Sequence, residues 1–269
     1  MIKFFRKIRQ RLLTENKFSK YIIYAFGEII LVVIGILIAL GINNWNENRK
    51  LRSQEITYLK NLKNDLRTQI EMLDVYIDYE TIIIDQSNDI IEHYNRNNGF
   101  KEMDSIFPKL HDLSTRWTFS NANSTLIQML NSNQINILQN EKLKTELIAF
   151  NQQIELFTTN TNTNNSNLVD NFTTQTIIEK GTFATYGVSE KMLGKFTDFY
   201  PFEVNKVNDS ELNEIATNYL NKPENRLELI NKVVYRNTIS TLQKSGNQSI
   251  KNRAKEILSS IEKEIKIRN

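Results

Sequence analysis

The sequence predicts an all-α protein, with a single N-terminal transmembrane helix followed by an elongated antiparallel helical bundle of three long and about two short helices. Two observations predict this class. Gly and Pro number only 8 and 3 among 269 residues, and the first proline is Pro108, so no proline interrupts a helix in the first hundred residues. Apolar residues also recur at three- and four-residue spacing, which places them on one side of a helix.

The predicted transmembrane helix covers residues 21–42, an apolar run whose one charged residue is Glu28. Its 22 residues rise about 1.5 Å each and span roughly 33 Å, enough to cross a bilayer. Tyr21 and Trp45 stand at the two ends, as aromatic anchors at membrane interfaces do. The small-x-small pattern of residues 39–41 also matches a signal-peptide cleavage site. The apolar run is longer than the usual apolar region of a signal peptide, which favours an uncleaved signal anchor.

The distribution of Lys and Arg predicts the orientation and the domains. Residues 1–20 carry seven Lys and Arg against Glu15 alone, whereas residues 43–62 carry four. The more basic flank stays in the cytoplasm. We therefore expect a cytoplasmic basic leader at 1–20, a signal anchor at 21–42 and an extracytoplasmic helical bundle at 43–269. In a Gram-negative cell this is a single-pass inner-membrane protein with a periplasmic C-terminal domain.

Membrane lipid is the first expected partner. Apolar residues in the leader recur at helical spacing between cations, which is typical of an amphipathic helix lying among anionic headgroups. A basic but unstructured flank would satisfy the topology rule equally. Outside the leader and Glu28 the chain has 27 basic and 29 acidic residues. Because this large part is near neutral, no nucleic-acid partner is expected.

Three long helices are predicted after the span. The first ends near Asn97, where Gly99 would take a left-handed cap, the second covers residues 141–180, and the third opens at Pro223. The first is predicted to bury Leu59, Leu62, Leu66, Ile70, Leu73, Ile77, Ile84 and Ile91. The second is predicted to bury Leu143, Leu147, Phe150, Ile154, Phe157, Leu168, Phe172 and Gln175. The third is predicted to bury Leu227, Ile230, Val234, Ala254, Ile257, Leu258, Ile261 and Ile265.

Two short helices complete the predicted set. They are expected at residues 121–132 and 210–221, the second with Asp209 or Ser210 as its N-cap. Between the second and third long helices, residues 181–205 concentrate six aromatic side chains beside three glycines and Pro201. This aromatic segment either packs on the helix ends or lies near the headgroups, and exposed apolar patches are uncommon, which favours packing.

The N-terminal residues resemble a known family. The leader FFRKIRQRLL, followed by ENKFSKY, GEIILVVIGILIAL and INNWNE, is similar to a family of short, uncharacterised single-pass membrane proteins of Gram-negative bacteria, a domain of unknown function. The likeness is dense over residues 1–66 and looser over 131–143, where Asn133 stands in place of the usual Gly. Asn tolerates the left-handed conformation, so the turn is expected to persist. The resemblance implies a membrane location and no settled activity.

Glu28 is predicted to lie within the membrane, because a span that began after it would be only about 21 Å long. Its carboxylate either reaches the cytoplasmic headgroups or faces protein. The second interpretation uses one helix face, which holds Glu28, Gly35, Ala39 and Ile42. Gly35 and Ala39 form a pair of small residues that allows two helices to approach closely. We therefore predict a membrane-helix interface on this face, through which the chain forms a homo-oligomer or binds a membrane-protein partner.

The polar segment TTNTNTNNSN, residues 158–167, allows three interpretations. Thr and Asn are poor helix formers, so it could be a linker between helices. Thr161 and Asn164 also continue the three- and four-residue spacing of the helix before them, and so could form a polar core layer that sets the helix register. The same two residues could instead line a small-molecule site.

No catalytic, cofactor or metal-binding motif is present. The chain has two histidines, no cysteine, no glycine-rich phosphate loop, no zinc-ligand spacing and no nucleophile elbow. Asp85 and Asp89 form one helix pair that an ordinary charged face explains. We therefore expect no enzyme, but a non-enzymatic membrane-anchored scaffold or accessory protein that acts through helix–helix association in and outside the membrane. The alternative is a membrane-anchored small-molecule sensor bundle that signals through a membrane partner.

Overall fold

The computed structural model describes residues 18–101, 106–187, 189–192 and 205–268. These residues form helices and connecting turns with no strand, so the predicted all-α class is confirmed. In chain order the helices are α1 (Phe18–Asn97), α2 (Ile106–Ser114), α3 (Ser124–Asn131), a 3₁₀ turn (Gln134–Ile137), α4 (Glu141–Asn164), a π segment (Asn165–Thr174), α5 (Gln175–Lys180), α6 (Phe183–Tyr186), α7 (Ser210–Leu220) and α8 (Pro223–Arg268). The predicted leader up to residue 17 and most of the aromatic segment lie outside the described residues.

Helices occupy the positions predicted for them, and two further helices, α2 and the four-residue α6, were not predicted. The second long helix runs from α4 through the π segment into α5 without a break. Helix α2 has only nine residues and contains Pro108. Proline is tolerated there because it lies in the first turn, where the backbone N–H has no intrahelical acceptor. A prediction that used proline as a helix breaker could not find this helix.

Residues 1–57 form one compact unit and residues 58–269 form another, and α1 passes through both. In the first unit α1 contains a window with a mean hydropathy of 2.7, none of which is buried by protein. It is the one described helix that is apolar and long enough to cross a membrane. The domain boundaries predicted at residues 20 and 42 stay a prediction.

In the second unit α1 buries a line of residues with strict three- and four-residue alternation. We call this line the α1 seam. It consists of Leu59, Leu62, Leu66, Gln69, Leu73, Tyr76, Glu80, Ile83, Ser87 and Ile90. Such a line repeats every seven residues, as in a coiled coil. Three of its members are polar or charged, and each of these is at most 4% exposed.

Helix α8 buries a second line with the same alternation, which we call the α8 seam. It consists of Leu229, Val233, Arg236, Ser240, Gln243, Asn247, Ile250, Ala254, Ile257 and Ile261. Side-chain pairs join the two helices at Arg67 and Glu262, at Asp74 and Lys251, and at Asn88 and Asn237. Residue numbers rise along one helix as they fall along the other, so α1 and α8 run in opposite directions within this unit.

The predicted register is partly wrong on both helices. On α1 the predicted residues Ile70, Ile77, Ile84 and Ile91 are only partly buried, and the seam passes one position earlier at each of these points. On α8 the predicted residues Leu227 and Val234 are exposed by 63% and 45%. On α1 the prediction left the seam at the polar position Gln69 and followed Ile70 and every seventh residue after it. On α8 the seam positions at this point, Leu229 and Val233, are themselves apolar, so the spacing of apolar residues alone did not distinguish the two faces.

The register of the second long helix also departs from the prediction after Phe157. The buried positions there are Thr161, Asn165, Val169, Thr173 and Ile177, whereas Leu168 is half-buried and Gln175 is exposed. A π segment forms i→i+5 hydrogen bonds and so has a wider turn than an α-helix. A step of four residues therefore stays on one face across this segment.

Three turn positions were predicted with different success. Asn133 takes the left-handed conformation with φ of 58°, and Asp209 caps α7 by accepting from the backbone N–H of Leu212 at 3.2 Å, so both predictions are confirmed. The left-handed residue at the end of α1 is Asn98, not Gly99. Gly99 instead allows close approach, because a Cβ there would lie 3.3 Å from Nη1 of Arg226.

Candidate functional site

The candidate site is a buried polar layer in the middle of the second unit. We define the polar layer as Glu80, Thr161, Asn165, Arg236, Ser240, Gln243 and Asn247, each at most 5% exposed. Along α8 it falls between two apolar clusters. One contains Leu229 and Val233, and the other begins at Ile250. Two hydrophobic cores therefore flank a layer in which four successive α8 seam positions are polar.

Arg236 organises one side of the polar layer. Its Nε donates to the carbonyl oxygen of Leu113 at 3.2 Å, and its Nη2 donates to the carbonyl oxygen of Thr115 at 3.2 Å. Its Nη1 donates to Oγ of Ser240 at 2.5 Å, and Nη2 also lies 3.5 Å from the hydroxyl of Tyr79. The guanidinium thus fixes the C-terminal end of α2 and the residue that follows it against α8.

Glu80 is the charge that faces Arg236. Its Oε2 lies 3.8 Å from Nη1 of Arg236, and the two side chains are 5% and 1% exposed. Burial raises the pKa of Glu80, while the charge of Arg236 and a hydrogen bond from Ser240 act in the opposite direction. Burial also raises the pKa of Tyr79, whose hydroxyl lies 2.9 Å from Oγ1 of Thr115. The layer therefore holds an ion pair away from solvent.

Asn165 connects the π segment to the same layer. Its Nδ2 donates to the carbonyl oxygen of Trp117 at 3.1 Å, and its Oδ1 accepts from Nε2 of Gln243 at 3.4 Å. The indole of Trp117 contacts Tyr76 and Tyr79 with ring centroids 6.4 and 6.1 Å apart. Aromatic rings and amides thus surround the start of the π segment.

Three buried oxygens of the polar layer have no hydrogen-bond partner among the described residues. They are Oε2 of Glu80, Oγ1 of Thr161 and Oδ1 of Asn247. A buried polar atom without a partner costs about 1–3 kcal/mol. Such atoms call for an explanation in terms of bound water, a ligand or a specificity function.

The structure places the two residues of the predicted core layer differently. Thr161 is 5% exposed, Asn164 is half-buried, and the buried amide belongs to the next residue, Asn165. Because residues 158–167 are helical throughout, the linker interpretation is wrong. The register and ligand interpretations of this segment stay predictions. Sequence reasoning missed Glu80 and Arg236 because charged residues normally mark a solvated face.

The predicted membrane-helix interface lies in the first unit, apart from the polar layer along the chain. Glu28 is half-buried, whereas Gly35, Ala39 and Ile42 are exposed. All four belong to α1, and their spacing places them on one helix face. A Cβ added at Gly35 would meet nothing within 4 Å, so no other described residue approaches the helix at this position.

Other titratable groups do not form a reaction centre within the described part of the chain. Ser189 donates its hydroxyl to Oδ2 of Asp112 at 2.5 Å, while Nδ1 of His111 lies 2.6 Å from the carbonyl oxygen of Gly187, so no histidine stands between serine and carboxylate. Burial raises the pKa of Asp112 and lowers that of His111. These contacts hold the residues after α6 against α2.

The acidic pair noted in the sequence has a structural explanation. Asp85 pairs with Lys191 and Asp89 pairs with Lys109, each at 2.9 Å. The two carboxylates therefore face separate lysines. No group of three or more metal-ligating side chains occurs among the residues that the structure describes.

The fold and the polar layer define an all-helical protein with one candidate membrane span and a second unit built on two heptad seams. The chain belongs to the family of unknown function DUF6090, whose model matches residues 28–185. The match begins at Glu28 and includes Glu80 and Asn165, whereas Arg236 lies outside it. No curated protein and no solved structure matches the chain.

Proposed function

We propose that the chain is a non-enzymatic membrane-anchored scaffold or accessory protein that acts through helix–helix association in and outside the membrane. The observation that carries the proposal is the apolar window of α1, of which no part is buried within the protein. An apolar helix of this length needs lipid or another protein around it. The long seams of α1 and α8 support an elongated antiparallel bundle as the part that projects from the membrane.

The same proposal includes a location and an orientation. The seven cations of residues 1–20 support a cytoplasmic N-terminus and a periplasmic domain at 43–269, in the inner membrane of a Gram-negative cell. Alkaline phosphatase fused after Asn269 should then be active and a cytoplasmic reporter silent. An active cytoplasmic reporter would reverse the topology.

The membrane helix gives the direct test of association. Gly35 and Gly41 both have open space at the Cβ position, but six residues of helix place them about 120° apart, with only Gly35 on the face of Glu28 and Ala39. We expect Gly35→Ile to reduce the oligomer or partner fraction of the full chain in mild detergent by about tenfold, because it separates two closely packed helices. Cross-linking followed by gel analysis and partner pull-down measures both.

Gly41→Ile is the matched control, since it adds the same side chain on a different face and should leave assembly unchanged. Glu28→Leu should act in the same direction as Gly35→Ile if the carboxylate faces protein. If both glycine variants and Glu28→Leu assembled as the natural protein does, the proposed interface would be wrong. The carboxylate of Glu28 would then be better explained as reaching the headgroups.

A second candidate function is small-molecule sensing through a membrane partner. The observation that favours it is the set of three buried oxygens in the polar layer that form no hydrogen bond among the described residues. Small polar ligands bind where a few polar groups converge inside an apolar protein. Thermal shift of the full chain against a metabolite library is the test. A ligand that stabilises the natural protein but not Thr161→Val supports sensing, and no shift with any ligand counts against it.

A further inference from the structure

The π segment is unusually long. It continues for ten residues, Asn165–Thr174, between α4 and α5, whereas π geometry occurs mostly as single turns inside α-helices. Because an α-helix is the common form of such a run, contacts elsewhere in the fold have to favour the π form. Residues 114–117, which we call the template segment, make contacts of this kind.

The two ends of the π segment are bound to the template segment. Nδ2 of Asn165 donates to the carbonyl oxygen of Trp117 at 3.1 Å, and Oγ1 of Thr174 donates to that of Ser114 at 2.9 Å. The two segments therefore run side by side in opposite directions. From Asn165 to Thr174 an α-helix would rise about 13.5 Å. The three residues from Ser114 to Trp117 span at most about 11 Å even when fully extended.

The directions of the side chains also require the π form. Between the two end contacts, Oδ1 of Asp170 accepts from Nε of Arg116 at 2.7 Å. The three contacts are spaced by five and four residues, and a turn closed by i→i+5 hydrogen bonds keeps such positions on one face. In an α-helix Asp170 would lie about 140° from Asn165, and Thr174 about 180°. An α-helix therefore could not make all three contacts.

The sequence itself fits both conformations. In an α-helix Leu168 and Phe172 would lie within about 20° of Thr161, on the face that enters the polar layer. In the structure Val169 and Ile177 lie on this face instead, and they are 0% and 4% exposed. Each conformation thus has two apolar residues to bury, so the apolar pattern alone does not select the π form.

We propose that the template segment holds the π segment in its π form, and that release of these contacts converts it to an α-helix. Thr161 and Ile177 share one face in the π form but would lie about 160° apart in an α-helix. Conversion would therefore turn α5 relative to α4 and withdraw Ile177 from the apolar cluster that it shares with α7 and α8. The π segment is thus a conformational switch between the polar layer and α7. The inference rests on neither proposed function, because it concerns only contacts within the second unit.

Single cysteines can report this rotation, because the chain contains no cysteine of its own. Ile177→Cys places a thiol at a buried position, and Glu179→Cys places one at an exposed position. In an α-helix position 179 would lie on the face of Thr161, because 18 residues complete about five turns. The rate of maleimide labelling at each position is measured by mass spectrometry on the full chain in detergent.

Asn165→Leu with Thr174→Val removes two of the three contacts and keeps side chains of similar shape. With the natural contacts present, position 179 should label at least about tenfold faster than position 177. In the double variant this order should reverse. Unfolding would make both positions fast and could not protect position 179, so it is distinguished from rotation. The natural order in a double variant that circular dichroism shows to be folded would overturn the proposal.

Thr163→Val with Asn167→Leu is the matched control, because it makes the same chemical changes at exposed positions of the same long helix. It should keep the natural labelling order, and a reversal there would show that composition rather than the template contacts sets the form. If the first double variant unfolds, Arg116→Met with Thr174→Val is measured, which leaves the buried Asn165 in place. That variant should raise labelling at position 177 and lower it at position 179. Unchanged rates at both positions would contradict the proposal.

Discussion

Arg236→Met is expected to lower the free energy of unfolding of the full chain by about 3–5 kcal/mol at pH 7, which is the usual cost of removing one partner of a buried ion pair. The substitution keeps an unbranched side chain of similar length. It leaves the carboxylate of Glu80 buried without its cation, and it removes the donors to the carbonyl oxygens of Leu113 and Thr115. Urea unfolding in detergent, followed by circular dichroism, measures the loss.

Arg67→Met is the matched control, because it makes the same substitution in an ion pair between the same two helices. Arg67 lies 3.0 Å from Glu262, but the two side chains are 54% and 37% exposed. Exposed pairs of this kind contribute about 0–1 kcal/mol. A loss for Arg236→Met no larger than that for Arg67→Met would show that the buried pair is not desolvated in solution.

The pH dependence of this loss has a definite sign. Burial raises the pKa of Glu80 above its ordinary value of 4.5, so the folded protein holds the proton more tightly than the unfolded chain. The stabilising contribution of this group is complete below pH 4.5 and is lost as the pH rises through the folded pKa. Without Arg236 the pKa of Glu80 rises further. The free energy of unfolding that Arg236→Met loses relative to the natural protein should therefore be smaller near pH 4 than at pH 7.

The double variant Glu80→Leu with Arg236→Met should recover most of the lost stability, because apolar replacements of buried ion pairs are often neutral or stabilising. Recovery in the double variant would show that the loss in Arg236→Met comes from the unpaired buried carboxylate of Glu80 and not from a packing defect.

The helices were predictable because their signal is long and redundant. The ten positions of each seam in α1 and α8 repeat the same spacing, and few glycines or prolines interrupt it. The register was less predictable because it depends on single positions. Gln69, Glu80 and Ser87 occupy the α1 seam. A prediction that counts only apolar residues moves from Gln69 to Ile70 and then follows the isoleucines at seven-residue steps from it. Continuing the strict alternation from Leu59 through polar positions would have identified all three.

The polar layer was only partly predictable for a related reason. Thr161 was found because it continued the spacing of an apolar helix. Asn165 was missed because the π segment changes the number of residues per turn, which no α-helical count anticipates. Arg236 was missed because its partners, Glu80 and the carbonyl oxygen of Leu113, lie more than a hundred residues away in sequence. The residue pattern of one helix does not show which distant residues will pair with a charged side chain on it.

Gly246→Ala is expected to destabilise the chain by about 1–3 kcal/mol, although alanine normally favours a helix interior by about 1 kcal/mol over glycine. A Cβ at Gly246 would lie 2.2 Å from a ring carbon of Phe157. The ring has little room to withdraw, because it packs edge-on against Phe119 with centroids 5.3 Å apart. Gly246 thus allows α4 and α8 to approach closely at a point where any larger side chain would collide with the ring of Phe157. Thermal unfolding of the full chain measures the effect.

A double-mutant cycle with Phe157→Leu tests the cause. The smaller side chain should make room for the added methyl group, so Gly246→Ala should cost little or nothing in the Phe157→Leu background, and the two changes should couple by about 1 kcal/mol or more. Gly41→Ala is the control for helix propensity, since a Cβ there meets nothing within 4 Å. If Gly246→Ala stabilised the chain as alanine does in an open helix, α4 and α8 would have to lie farther apart at this point than the contact with Phe157 requires.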